Sequence, residues 1–186
     1  ESESRGLGDV YKRQELNRKK LPESISIPGL KKVTETNNTK QIKKIISTLF
    51  NDHPGSIDNF NIPTTRKQAI SWLDDFLKNK FFLFGDYEDA ISKKGHVLFH
   101  SLLSPLLNIG LLTPEEVVNK SLKFAKINKI KINNVEGFIR QIIGWREFIK
   151  NVYDYHNTFM KTSNFWNHTL KLKKSWYDGT LSLIHI

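Results

Sequence analysis

The chain contains no cysteine, so no disulfide and no thiolate metal site is available within its 186 residues. No apolar run approaches the length needed to cross a bilayer, and no charged-then-apolar leader opens the chain. These absences point to a protein without a membrane partner and to a cytoplasmic location. No stretch alternates apolar and polar residues over four or more positions between hairpin turns, which removes the signature of half-buried strands. Acidic residues are the minority charge, 19 Asp+Glu against 29 Lys+Arg, and the resulting net charge of +10 suits a polyanion such as nucleic acid. Disorder is argued against by a 38% hydrophobic and 11% aromatic content, enough for one domain with a real core.

The two ends, "ESESRGLGDVYKRQ" and "LSLIHI", lack the pattern of their neighbours and resemble translated sequencing-adapter read-through on a metagenomic gene fragment. Residues 1–14 and 181–186 are therefore read as adapter-derived tails. The first tail holds Arg5, Lys12 and Arg13 against Glu1, Glu3 and Asp9, so the interior keeps the full charge. Residues 15–37 mix Pro, Ser, Lys and Glu without sustained period and read as an interdomain linker draped on the surface.

Helical spacing begins after Asn38. Ile42, Ile45, Ile46, Leu49 and Phe50 fall on one face, and "HPG" at 53–55 is expected to stop that helix. Thr65 with Gln68 caps a second helix, whose Ala69, Trp72, Leu73, Phe76 and Leu77 repeat the apolar spacing. Thr113, Pro114, Glu115 and Glu116 open a third, with a capping hydroxyl, a proline at the first helical position and carboxylates at the positive end of the dipole. Val117, Val118 and Leu122 continue it. Asn133 and Glu136 offer a fourth capping pair, for a helix running toward Tyr153. The fold class expected is all-α, a non-repetitive helical cluster over 38–180 preceded by the irregular linker.

Two stretches carry chemistry. In "LFHSLLSPLLNIGLLTP", His100, Ser101, Ser104 and Asn108 interrupt an apolar run. Ser104 reads as an N-cap and Pro105 as the start of a buried helix. Such an end presents hydroxyls, free N–H groups and a positive dipole to phosphate; equally, the serines cap their own chain. In "EGFIRQIIGWREF", Gly137 and Gly144 lie near one face, each costing about 1 kcal/mol relative to alanine, which a helix tolerates where something approaches its backbone. Phe138, Ile142, Trp145, Ile149 and Val152 form an apolar stripe, so Trp145 alone reads as core. Arg146 alone reads either as a planar anion-binding fork or as an ordinary surface or Glu-paired arginine.

"FHSLLSPLLNIGLLTP" followed by "VEGFIRQIIGWREF" resembles the flavin-binding helical domain of the photolyase and cryptochrome superfamily. With "NRKKLP", "PTTRKQA" and "FGDYEDA", the chain is similar more narrowly to the deoxyribodipyrimidine photolyase-related family, the prokaryotic (6-4) photolyase and bacterial cryptochrome-like branch, over about Asn17 to Thr180. The resemblance implies a partial FAD-binding domain, a monomer, and UV-damaged DNA as partner. It also implies an antenna chromophore, held by an N-terminal domain outside this chain. It implies FAD contacts from Tyr87, Ser101, Leu103, Ser104 and Arg146, and lesion or DNA contacts from Gln141, Trp145 and His100, where other branches have threonine for His100. Gln141 stands four residues before Trp145, against three in the wider superfamily. No residue of this chain is assigned a catalytic or metal-ligating role. The family's iron-sulfur cluster is held by four cysteines, the first beyond the segment matching Ser175 to Thr180, so a cluster belongs, if anywhere, to the full-length protein.

The function implied is light-driven repair of pyrimidine photoproducts, (6-4) lesions first, by the parent protein, with this piece alone inactive. The alternatives are a cryptochrome-like blue-light photoreceptor without repair, and a cofactor-free helical nucleic-acid-binding module.

Overall fold

The computed structural model describes residues 19–180, so the expected tails at 1–14 and 181–186, and Asn17, lie outside the described residues. Within them the fold is all-α, with no strand. The described residues divide into two compact units, one of residues 19–34 and 61–148 and one of residues 35–60 and 149–180.

The second unit holds α1 (Asn37–Leu49), whose N-cap Thr36 accepts from the Thr39 amide at 3.1 Å. Lys43 of α1 pairs with Glu35 and donates to the Asp58 carbonyl at 3.2 Å. The helix ends at Leu49 with Phe50 at its cap, before "HPG" is reached. Its expected apolar stripe exists but stays uncovered: no residue of α1 is buried, and Ile42, Ile45 and Leu49 are exposed.

The first unit carries the core. In α2 (Arg66–Asn79), Thr65 caps Gln68 N at 3.3 Å, and Ala69, Trp72, Leu73, Phe76 and Leu77 are all buried, as their spacing predicts. A 3-10 turn (Phe81–Leu83) and the short α3 (Phe84–Tyr87) follow. The rings of Phe76, Phe81, Phe84 and Phe138 lie 4.8–6.0 Å apart, mostly edge-to-face or tilted, which joins α2, the α3 turn and a later helix around one aromatic centre. In α5 (Pro114–Asn128), Thr113 and Glu116 complete the capping box, and Arg66 forks onto Glu116 and the Leu111 carbonyl to tie α5 to α2. Val117 is fully buried, whereas Leu122 is exposed. The segment before Thr34 lies on this unit's surface, with Leu21, Ile25 and Ile27 packed on Tyr87, Leu98 and Phe99.

Three local expectations are corrected. The helix α4 (Ser104–Asn108) begins at Ser104 with Leu103 in the cap position, so Ser104 is the first helical residue rather than the N-cap. Leu106 is its only buried residue, so this is not a buried helix. Next, α6 (Ile132–Ile139) is capped by Lys131 without a side-chain bond, because Asn133 and Asn134 are drawn elsewhere. Asn133 Nδ2 donates to Asp86 Oδ1 at 2.7 Å. Asn134, fully buried, accepts from Gly85 N at 2.7 Å and donates to the Phe82 carbonyl at 2.8 Å. The two asparagines thus clamp the α3 turn, and their amides cannot also serve the helix start. Finally, the helix is not uniform: Arg140–Gly144 form a π-turn between α6 and α7 (Trp145–Thr162).

Candidate functional site

A cavity of about 550 Å³ opens in the first unit beside the π-turn. Its walls are Phe84, Leu102, Leu103, Phe138 and Ile142; its polar groups are Glu88, Asp89, His100, Ser101, Ser104, Gln141 and Arg146, with Trp145 at its edge. Seven of the eight site residues expected from the sequence, His100, Ser101, Leu103, Ser104, Gln141, Trp145 and Arg146, come together here from segments some forty positions apart. Tyr87 does not. It is only 8% exposed, and its ring packs against Phe99 at 5.3 Å.

The loop that brings His100 and Ser101 to the cavity is bent at both ends. Leu98 and Leu102 hold φ of 48° and 53°, left-handed values that a leucine reaches only under constraint. The constraint is visible: Leu98 is buried, and Trp72 Nε1 donates to the Ser101 carbonyl at 2.8 Å. No side-chain bond caps the start of α4, where Leu103 holds the cap position and Ser104 the first helical one. His100 stands edge-on to Phe84, with centroids 6.2 Å apart. Burial, then the nearby Lys80 charge, push its pKa below the usual value, which favours neutral imidazole.

The π-turn explains the four-residue spacing of Gln141 and Trp145. An i→i+5 turn holds one residue more than an α turn. A pair four apart across it therefore sits about where a pair three apart sits on a regular helix, and both residues reach the same cavity. π-turns recur at functional sites. Trp145, which read by itself is a core residue and by the resemblance a wall of the pocket, is 56% exposed and makes an edge contact to Phe148 at 5.8 Å. Arg146 Nη1 donates to the Ile142 carbonyl at 2.8 Å, and the guanidinium forms no ion pair among the described residues. Its remaining donors are available to an anion.

Two acids at the cavity escaped sequence reasoning, Glu88 and Asp89 of "FGDYEDA". The signal was a pair of adjacent carboxylates just after the apolar "FFLFG". Glu88 accepts from Arg140 Nη2 at 3.1 Å, and burial raises its pKa above the usual carboxylate value against the pull of Arg140. Gly137 gives this carboxylate room: a Cβ there would lie 3.1 Å from Glu88 Oε2, a tight contact with a side-chain end. Gly144 is different, since a Cβ there would meet nothing closer than Arg140 Cγ at 3.5 Å. A smaller cleft of about 220 Å³ gathers Lys31, Lys32 and Lys67 beside Trp72. Among the described residues no cluster of three or more His, Asp or Glu is placed to hold a metal ion, and no helix is long and apolar enough to cross a membrane.

Residues 3–62 match the family described as deoxyribodipyrimidine photo-lyase-related protein. The chain is 35% identical over 145 residues to a (6-4) photolyase of Agrobacterium fabrum, covering 76% of this chain and 28% of that protein. It is 40% identical over 98 residues to the uncharacterized protein R853 of Acanthamoeba polyphaga mimivirus, covering 52% of this chain and 74% of that one.

Proposed function

The chain belongs to the deoxyribodipyrimidine photolyase-related family, and from that premise we propose that it forms part of a FAD-dependent, light-driven enzyme that repairs pyrimidine photoproducts in DNA, (6-4) lesions first. The chain spans 28% of the Agrobacterium relative, so the activity is proposed for the protein of which that shared region is a part. The observation that carries the reading is the convergence of Ser101, Ser104, Arg146, Gln141, Trp145 and His100 on one cavity.

The cavity's chemistry fits a flat, phosphate-bearing ligand. The serine hydroxyls are not engaged in capping, Arg146 has donors to spare, Phe84, Leu103 and Ile142 supply an apolar wall, and Glu88 keeps an unpaired oxygen. Ser101, Ser104 and Arg146 would hold the phosphates of FAD, with Leu103 against the cofactor. When bound, FAD supplies the light absorption and the electron that opens the photoproduct. The protein's part is to bind, orient and exclude water. Trp145, at the open edge, offers a stacking face to a base turned out of the duplex, and Gln141 and neutral His100 offer hydrogen bonds to its edge. Tyr87 lies in the aromatic packing beneath and supports the loop through Phe99. The Lys31, Lys32 and Lys67 cleft, like the +10 charge, supports contact with DNA phosphates.

Arg146→Ala in the protein expressed from its complete gene tests the assignment. The reading expects flavin content to fall to a small fraction of wild type. Unchanged flavin with weakened DNA binding contradicts it and favours a cofactor-free nucleic-acid-binding module.

A further inference from the structure

Glu88 is the cavity residue whose bonding is incomplete. Its side chain is 6% exposed; Oε1 takes the Arg140 bond, and Oε2 is buried with no donor at hydrogen-bond geometry, the Gln141 side chain standing near enough to pull the Glu88 pKa down without closing a bond to Oε2. A carboxylate oxygen that has lost water without gaining a partner is destabilising, and native proteins rarely keep one without a use. Here the fold keeps it deliberately placed. Arg140 holds the other oxygen and is itself steadied by Glu136, Nε to Oε1 at 3.2 Å. Gly137 leaves the room that Oε2 occupies, and Asn134 pins the preceding turn through Gly85.

We propose that Glu88 Oε2 accepts a hydrogen bond from a ring N–H of the ligand in this cavity, a planar heterocycle with an imide edge, and so fixes the orientation of that ring. Three observations select this class. Arg140 already balances the carboxylate charge, so a neutral donor suits the open oxygen better than a second cation. Phe84 and Phe138 line the same space, an apolar wall that suits a ring. The Gln141 amide is turned toward Glu88 with one N–H, and its second N–H can meet the carbonyl next to such a ring N–H. The inference rests on the reading above and deepens it. A flavin ring and a pyrimidine base share this imide chemistry.

The test compares wild type, Glu88→Gln and Glu88→Ala in the protein from its complete gene. It measures flavin content by absorption, affinity for photoproduct-containing and undamaged oligonucleotides, and Tm as the control for folding. Loss of a charge-assisted bond is expected to weaken binding about tenfold in Glu88→Gln and further in Glu88→Ala. Faster flavin loss with unchanged DNA preference identifies the flavin as the ring that Glu88 reads. Retained flavin with lost preference for damaged DNA identifies the base. If Glu88→Ala does not fold, Glu88→Gln decides alone. Wild-type levels of both properties in the folded variants overturn the assignment and leave the family reading standing. A wild type with neither flavin nor preference for damaged DNA overturns the reading and this inference with it.

Discussion

Three glycines around the site have different reasons to be glycine, and alanine at each should reveal the difference. At Gly85 a Cβ would lie 2.4 Å from the Asn133 carbonyl oxygen, 2.7 Å from its carbon and 2.9 Å from Asn134 Cα. These are backbone atoms of α6 and cannot swing aside, so α3 and α6 must separate. Separation strains the packed core, at about 1–3 kcal/mol for overpacking. It also pulls on the buried Asn134 bonds to Gly85 N and the Phe82 carbonyl, each worth roughly 1 kcal/mol net and more if left unpaired. Gly85→Ala is therefore expected to cost about 3 kcal/mol or more, roughly 6–12 °C in Tm. At Gly137 the conflict is with the Glu88 carboxylate, a side-chain end, so alanine there should cost about 1 kcal/mol after its helix-propensity gain. Gly144→Ala meets only ordinary contact and should stabilise by a few tenths to about 1 kcal/mol. Urea unfolding of the three variants measures the order directly. Gly85→Ala at wild-type stability, or Gly144→Ala as the worst of the three, would refute the close-approach argument.

Other outcomes follow from the core and from pH. Phe138 is at the centre of the aromatic cluster, so Phe138→Ala should cost about 3–5 kcal/mol in the same assay and open the cavity floor. The Glu116 pKa is lowered from 4.5 to about 2, chiefly by its bond to Arg66 and then by the Thr113 cap. A depressed folded value means the stabilisation is present above the unfolded pKa and is lost as pH falls from 4.5 toward 2; Glu116→Gln should flatten the stability curve across that window. Glu88 has the opposite sign. Its raised folded pKa means stability declines as pH rises through that value, and Glu88→Gln should remove that decline in a pH series of melting curves.

Much of this was legible in the residues, because the physics involved is local. The apolar spacing of Ala69 to Leu77 and the box of Thr113 and Glu116 specify their helices without tertiary help, and the structure has both. The gathering of Ser101, Ser104, Gln141 and Arg146 was legible through the family resemblance, not through spacing, which left Ser104 as a helix cap one residue out of place. What stayed hidden depends on contacts between distant segments. No composition marks a π-turn at Arg140–Gly144, and nothing in "LFHSLL" announces left-handed leucines held by burial and the Trp72 bond. Asn133 looked like a cap because Asp86, its real partner, is 47 positions away. Trp145 belonged to an apolar stripe, but that stripe turns outward after Ile142, and exposure rather than periodicity gives the residue its place at the cavity edge.

The central claim is that this cavity serves flavin-dependent repair of DNA. It is tested most directly by expressing the complete gene, recording the visible absorption spectrum, and assaying blue-light repair of (6-4) and cyclobutane photoproducts. Flavin bands with light-dependent loss of the (6-4) product are the predicted result. Flavin without repair of either lesion would contradict the repair activity and move the protein to a photoreceptor, and absence of flavin would contradict the site itself.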